Sequence, residues 1–263
     1  MAHASIVLEN VTVDFGGYHA LQNLSFGVPE GQFAAIVGPT GCGKTSVLNM
    51  VAGLAKAASG QVRCGGRLVD SVQCSAAYMF QQDALLPWKT VLENVLLGPL
   101  LRGAARRDAE TLARHWIARV GLKGLEARYP AQLSGGQRKR VAMAQALICG
   151  LPVLLLDEPF SALDAQTRVL MEEELLTLWQ EQGATVLFVT HDLEEAISLA
   201  DRVLIFSAGP GSRLKADYRV DLPRPRNVVE ARFIPGFMDL YRRIWADLKE
   251  EVLASHERSK ASA

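Results

Sequence analysis

The sequence predicts an α/β protein: a wound core of parallel strands, an N-terminal antiparallel β subdomain and an inserted helical subdomain. Three observations carry this. Short apolar runs recur at 33–37, 153–156, 185–189 and 203–206, each flanked by helix-compatible sequence, as expected for strands covered on both faces. Between residues 85 and 150 the pattern turns helical, with charged faces and few β-branched runs. The first core run is followed at once by a glycine-rich octapeptide, 38–45, and then by a helix-compatible run, 46–52.

Taken in order, residues 5–14 alternate apolar and polar (Ile6, Leu8, Val11, Val13) and predict an edge strand. Gly16-Gly17 is a turn, and 21–28 is a second strand closed by Pro29-Glu30-Gly31. The strand–loop–helix unit follows. Residues 61–81 carry short strands around Gly65-Gly66 and finish in 76–80. After the helical insertion the three remaining core strands return. Pro223-Arg224-Pro225-Arg226 marks a break. Beyond it Phe233, Phe237, Leu240, Ile244, Leu248 and Val252 recur at three- and four-residue steps, predicting an amphipathic helix that packs on the chain's own core. The tail 255–263 is expected to fray. The division is therefore 1–84 with 151–225 as the α/β core, 85–150 as the helical subdomain and 226–263 as a C-terminal helical extension.

The 263 residues suffice for one large domain or a domain with a subdomain, and 49% hydrophobic content supports a substantial core. The 28 basic and 28 acidic side chains balance, which argues against a globally basic nucleic-acid surface. Cys42, Cys64, Cys74 and Cys149 form no C-x-x-C pair, so neither disulfides nor a zinc site is expected, and a reducing cytosol fits. No apolar run approaches the roughly 18 residues needed to cross a bilayer, and residues 1–10 lack a signal-peptide pattern. The expectation is a soluble cytoplasmic protein, or one held at a membrane only by partners.

The octapeptide Gly38-Pro39-Thr40-Gly41-Cys42-Gly43-Lys44-Thr45 has the spacing G-x-x-x-x-G-K-[ST] of a P-loop. Its glycines let backbone N–H groups turn toward an anion, and the helix starting near Gly43 adds unsatisfied N–H groups and a positive dipole end. Lys44 supplies a point charge to the β- and γ-phosphates, and the Thr45 hydroxyl can sit on Mg²⁺. Cys42, at a helix start, is placed where a thiolate gains some stabilisation, but reads chiefly as a small filler. The second signal is Val153-Leu154-Leu155-Leu156-Asp157-Glu158, a buried strand with two carboxylates at its carboxyl end, where open α/β sheets bind ligands. Asp157 is positioned for the Mg²⁺ shell opposite Thr45, and Glu158 for a water attacking the γ-phosphorus. The third is Leu133-Ser134-Gly135-Gly136-Gln137, a second phosphate-seeking helix start in the same chain.

Together these residues resemble the ATP-binding cassette (ABC) family, over about residues 5–225. The resemblance implies a P-loop NTPase fold whose signature peptide, here Ser134, Gly135, Gly136 and Gln137, faces the P-loop of a second subunit, so that two ATPs are sandwiched in a head-to-tail dimer. It implies nucleotide contacts along residues 38–45 and at Ser46. Phe80-Gln81 followed by Leu86-Pro87-Trp88 is similar to the glutamine loop. Gln81, with Gln82 as its neighbour and rival, would reach Mg²⁺ and the attacking water, and residues 82–93 would meet the membrane partner. Ser161-Ala162-Leu163-Asp164 resembles the loop that communicates across the dimer, so Asp164 takes that role. His191 in Val189-Thr190-His191-Asp192 resembles the switch histidine of the γ-phosphate. Phe15 lies where the family stacks an aromatic on adenine, with Tyr18 as the rival across Gly16-Gly17. Gln145 departs from the pattern, which more often has arginine there.

Ser134 follows Gln81 by only 53 positions, which leaves no room for the long coiled-coil insertion of chromosome-maintenance or DNA-repair relatives. A lone cassette of this size without a fused membrane domain resembles the ATPase subunits of bacterial importers. Asp83-Ala84-Leu85-Leu86-Pro87-Trp88, 207–211 and 220–226 resemble the nitrate/sulfonate/taurine group. The resemblance thus implies ATP and Mg²⁺ as ligands and uptake of a small solute. Its implied partners are an identical second ATPase subunit, transmembrane permease subunits and, indirectly, a periplasmic or lipid-anchored solute-binding protein, with no nucleic acid, and its implied place is peripheral on the inner membrane. The competing reading is a non-transport ABC ATPase acting on nucleic acid or protein.

Overall fold

A computed structural model describes residues 4–73 and 75–261. In chain order its elements open with β1 (Ala4–Phe15), β2 (Tyr18–Pro29), β3 (Phe33–Val37) and α1 (Lys44–Val51). Next come β4 (Ser59–Cys64), β5 (Arg67–Leu68) and β6 (Ala76–Met79), then the helices α2 (Val91–Leu101), α3 (Arg106–Arg119) and α4 (Gly135–Leu147). The chain returns through β7 (Val153–Asp157), α5 (Ala165–Gln182), β8 (Thr185–Val189), α6 (Leu193–Leu199), β9 (Arg202–Phe206) and β10 (Leu214–Arg219). It ends in α7 (Val228–Ala231) and α8 (Phe237–Ala261).

Two sheets result. The smaller is antiparallel, in the order β2-β1-β4-β5. The larger has the order β10-β9-β3-β8-β7-β6, parallel from β9 to β6. The four central strands are apolar at nearly every position because both faces are covered. Phe33, Ala35, Leu154, Leu156, Val186, Phe188, Val203 and Ile205 point into a core shared with the helices. Ala34, Ile36, Val153, Leu155, Leu187, Val189, Leu204 and Phe206 point the other way, against α1 and the small sheet. The period-two alternation divides each strand between two cores.

The structure corrects four expectations. β1 is not an edge strand: β2 pairs along one side and β4 along the other. Alternation reports that one face is buried and carries no information about lateral neighbours. The larger sheet also gains β10, an antiparallel edge strand whose Lys215, Asp217 and Arg219 interrupt its apolar pattern; Arg202 on β9 pairs with Asp217. The helix at the C-terminus does not fray at 255 but continues to Ala261, where Arg258 donates to the carbonyls of Ala208 and Gly209. It begins at Phe237, so Phe233 precedes it and is exposed, while Phe237, Leu240, Ile244 and Leu248 are buried in the core. Cys42, Cys64 and Cys149 are free thiols, and Cys74 lies outside the described residues.

The break at 223–226 contains a clamp. Arg226 is 6% exposed, and its guanidinium donates to the carbonyls of Ile197, Ala200, Val220 and Leu222 at 2.6–3.1 Å. Burial first, then repulsion from Arg224, lowers its pKa to about 10, and the Asp201 carboxylate opposes the shift. Replacing Arg226 by Leu removes these donors and leaves the carbonyls at the end of α6 unpaired. We expect a loss on the order of 3 kcal/mol in chemical denaturation, with nucleotide affinity of the remaining folded protein unchanged.

Candidate functional site

The octapeptide connects the buried end of β3 to α1 and opens on a cleft of about 600 Å³. Gly38, Thr40, Gly41, Gly43, Lys44, Thr45, Ser46, Gln81, Glu158 and His191 line it, with Ala20 and Val189. The sequence therefore leads, from four separate segments, to one concave surface at the carboxyl ends of the parallel strands.

Gly43 shows why the loop takes its shape. It sits at φ 91°, and a Cβ there would meet Leu21 Cδ2 at 2.7 Å. Gly43 is also the N-cap of α1, where no side chain caps the helix. By contrast, Thr90, Ser134, Asp164 and Asp192 cap α2, α4, α5 and α6. The uncapped end leaves backbone N–H groups and the positive end of the helix dipole for an anion. The Lys44 ammonium folds back over the loop and donates to the carbonyls of Gly38 and Pro39, both at 2.8 Å. Cys42 is fully buried, and burial pushes its thiol up against the opposing pull of Lys44. The geometry thus gives a filler and not a stabilised thiolate.

Behind the loop, Thr45 Oγ1 donates to Asp157 Oδ2 at 2.8 Å. Asp157 is 1% exposed; burial raises its pKa, partly offset by the Thr45 bond and by Lys44 and Lys139. Glu158 follows in the left-handed region at φ 46°, uncommon for a residue with a side chain. That turn aims its carboxylate into the cleft, where Oε1 is 3.5 Å from His191 Nδ1 and Oε2 accepts from Gln81 Nε2 at 3.3 Å. The hydroxyl of Thr45, the carboxamide oxygen of Gln81 and the carboxylate of Asp157 form a donor set of hard oxygens, which suits Mg²⁺. Among the described residues, no group of three or more His, Cys, Asp and Glu side chains is arranged to hold a metal.

The signature residues do not line this cleft. Ser134 caps α4: its Oγ accepts from Gln137 N at 3.2 Å while Gln137 Oε1 accepts from Ser134 N at 2.9 Å. The Ser134 O–H is left able to donate outward. Asp164 caps α5 by accepting from Thr167 N, and that bond holds its carboxyl below the ordinary range. The backbones of Phe15 and Tyr18 face one another at the β1–β2 turn, and their rings lie outside the described side chains. The loop before α2 is pinned by buried Asn94, which bonds the backbone of Leu86, Lys89 and Thr90, and presents Trp88 at 70% exposure.

Two supporting groups were missed by sequence reasoning. Lys139 lies between Arg138 and Arg140 yet is 2% exposed, and its ammonium donates to the carbonyls of Phe80 and Gln81. Burial lowers its pKa, while Asp83, Asp157 and Glu158 pull it up. The second is a carboxyl cluster beneath His191, where Glu195 on α6 approaches Glu172 on α5. Burial, then repulsion from Glu195, raises Glu172 from 4.5 to about 8, while Arg168 opposes the shift and Asp192 and Glu173 add to it.

This cluster has a signed consequence for stability. Between pH 4.5 and about 8 the folded chain holds a proton at Glu172 that the unfolded chain has released, so stability falls as pH rises through that window. Glu172→Gln should match the parent at pH 4.5 and exceed its Tm by about 5 °C at pH 8, read by thermal denaturation across pH.

Such a fold and such a cleft define a P-loop nucleotide-hydrolysing protein. Comparison with known proteins places it further. Residues 21–161 match the ABC transporter family. The chain is 41% identical to the taurine import ATP-binding protein TauB of Escherichia coli K12, covering 79% of this chain and 82% of that one. It is 44% identical to the aliphatic sulfonates import ATP-binding protein SsuB of Yersinia pestis, covering 91% and 85%. Its fold is similar to that of the ATP-binding cassette MJ0796, solved as a post-hydrolysis dimer bound to ADP and phosphate (TM-score 0.75, 31% identity, covering 82% of this chain and 98% of that one). The chain belongs to the ABC transporter family; it is an ATP-binding, ATP-hydrolysing subunit homologous to taurine and sulfonate import ATPases. Among the described residues, no helix is long and apolar enough to cross a membrane.

Proposed function

We propose that this chain powers import of a small solute of the nitrate, sulfonate or taurine type, working as a homodimer docked on transmembrane permease subunits at the inner face of the membrane. The observation that carries the two-chain reading is the separation of the two anion-seeking helix ends. The uncapped start of α1 lines the cleft, while Ser134 at the start of α4 lies outside it with its O–H free. A second copy turned head to tail brings its Ser134, Gly135 and Gly136 to this chain's nucleotide.

In the cycle we propose, the N–H groups of the loop from Gly38 to Thr45, with Ser46, bind the phosphates, and Lys44 lies along the β- and γ-phosphates. Phe15 takes the adenine, with Tyr18 across the same turn. Thr45, Asp157 and Gln81 would hold Mg²⁺, which would neutralise phosphate charge when bound. Water oxygen bonds to the γ-phosphorus as Glu158 takes its proton, the bond from that phosphorus to the β–γ bridging oxygen breaks, and ADP and phosphate leave; His191 orients the γ-phosphate, and Asp164 passes the state of one pocket to the other. ATP drives closure because it binds the closed dimer more tightly than the open one. The pinned loop before α2, with Trp88 standing clear of it, supplies the surface for the permease.

The test is co-expression with the permease subunits of a taurine or sulfonate importer. Purification in detergent should recover a complex with two copies of this chain, and proteoliposomes should take up taurine or an alkanesulfonate only with external binding protein and internal ATP. Recovery of the chain alone, with ATPase activity stimulated by nucleic acid, would favour the non-transport reading instead.

A further inference from the structure

Loop 161–164 and the His191 loop are far apart in sequence, yet one side chain touches both. Arg168, one turn into α5, donates through Nη2 to the carbonyl of Leu163 at 3.4 Å. Its Nη1 lies 3.8 Å from Asp192 Oδ2 and 3.9 Å from Glu195 Oε1. The groups on either side extend the connection. Toward the signature peptide, a Cβ on Gly136 would meet Leu163 Cδ2 at 3.3 Å and Ala162 O at 3.5 Å, so the first turn of α4 rests directly on this loop. Toward the cleft, Thr190 Oγ1 donates to Glu195 Oε2 at 2.5 Å and accepts from Asp192 N at 3.0 Å. Those bonds fix the backbone on both sides of His191, whose imidazole faces Glu158.

We propose that Arg168 is a positioning residue that couples the signature peptide of a chain to the His191 and Glu158 of the same chain. It rests on the two-chain reading above: the signature peptide holds the partner's nucleotide, so Arg168 lets that nucleotide govern hydrolysis in this chain's own cleft. Physical continuity runs Gly136, Leu163, Arg168, Glu195 with Asp192, Thr190, His191. A guanidinium suits the task because its planar fork spans a carbonyl and two carboxylates at once. The contacts to the carboxylates lie beyond hydrogen-bond distance, and Arg168 Nε is buried with no hydrogen-bond partner. Donors are therefore in reserve, and a shift of Leu163 when the dimer closes can draw the His191 loop with it. A displacement of about 1 Å at a catalytic group is enough to change rate by about a hundredfold.

The test uses Arg168→Ala, Arg168→Gln and Arg168→Lys in the full chain, with steady-state ATPase kinetics, equilibrium ATP binding and Tm measured on each. Arg168→Ala and Arg168→Gln should lower kcat about tenfold and bring the Hill coefficient for ATP from above 1 down to 1. ATP affinity should stay within about twofold of the parent, since Arg168 does not line the cleft. Arg168→Lys should recover part of the kcat. A parent-like kcat and Hill coefficient in both shortened variants overturns the proposal. So does a kcat loss matched by equal losses of affinity and Tm, or a parent protein with a Hill coefficient of 1. Adding Glu158→Gln separates this inference from the reading beneath it. If Glu158→Gln alone forms no ATP-dependent dimer, the two-chain reading fails. If Glu158→Gln and Glu158→Gln/Arg168→Ala both dimerise while Arg168→Ala keeps parental cooperativity, the inference alone fails.

Discussion

Glu158→Gln is expected to lower ATP turnover by about 10²–10⁴-fold while ATP binding stays within a few-fold of the parent and an ATP-bound dimer accumulates. Gln matches Glu in shape, so the left-handed turn at residue 158 and its N–H bond to the Val189 carbonyl at 3.0 Å should persist. The amide can still meet Gln81 and His191, which now face the carboxylate at 3.3 and 3.5 Å. Basicity and negative charge are what disappear. On the proposed reading, the first removes the proton acceptor for the attacking water; the second removes repulsion toward the γ-phosphate, which favours the closed state. Phosphate release, filter binding and size-exclusion chromatography with MgATP read the three effects. Parental turnover in this variant would move the base to another group, with His191 the next candidate by position.

How much of this was legible in the sequence depended on what each signal reports. The central strands were readable because a strand covered on both faces must be apolar at successive positions, as Val153-Leu154-Leu155-Leu156 is. Gln81, Glu158 and His191 converge on the loop at 38–45 because each follows a parallel strand, and the carboxyl ends of those strands lie at one end of the sheet. β10 was hidden because its outer positions carry Lys215, Asp217 and Arg219, and the charges of Lys215 and Asp217 pair with distant neighbours no local pattern predicts: Glu250 and Glu251 on α8, and Arg202 on β9. Lys139 and Arg168 were hidden for a related reason. A basic residue on a helix looks solvated from sequence, and only the fold reveals that Lys139 ends against the backbone of the glutamine loop and Arg168 between two loops. Glu195 reads as part of an acidic first turn that favours its own helix, whereas the fold buries it under Thr190. Local propensity fixes where a side chain starts; its destination is set by contacts between segments distant in sequence.

Lys44→Ala should separate phosphate recognition from the rest of the cleft. The ammonium now sits 2.8 Å from the carbonyls of Gly38 and Pro39, at the side of the loop that faces the cleft. Two losses follow from its removal. On the proposed reading, the β- and γ-phosphates lose a charge-assisted donor in a partly desolvated site, about 1.5–3 kcal/mol for each such bond. The loop also loses the cross-link that bends it, although Gly43 at φ 91° and the Leu21 contact keep its turn. With one or two bonds lost, ATP affinity should fall about a hundredfold. ADP, which keeps only the β-phosphate of the pair, should lose less, and AMP, which has neither, should be almost unaffected. Lys44→Arg should not restore binding, because a planar fork replaces a compact charge at a residue only 9% exposed. Titration of the three nucleotides by calorimetry gives the ranking directly. Equal losses for ATP, ADP and AMP would mean that the substitution acts by collapsing the loop, and Lys44 would then be a structural cross-link with no role toward the terminal phosphates.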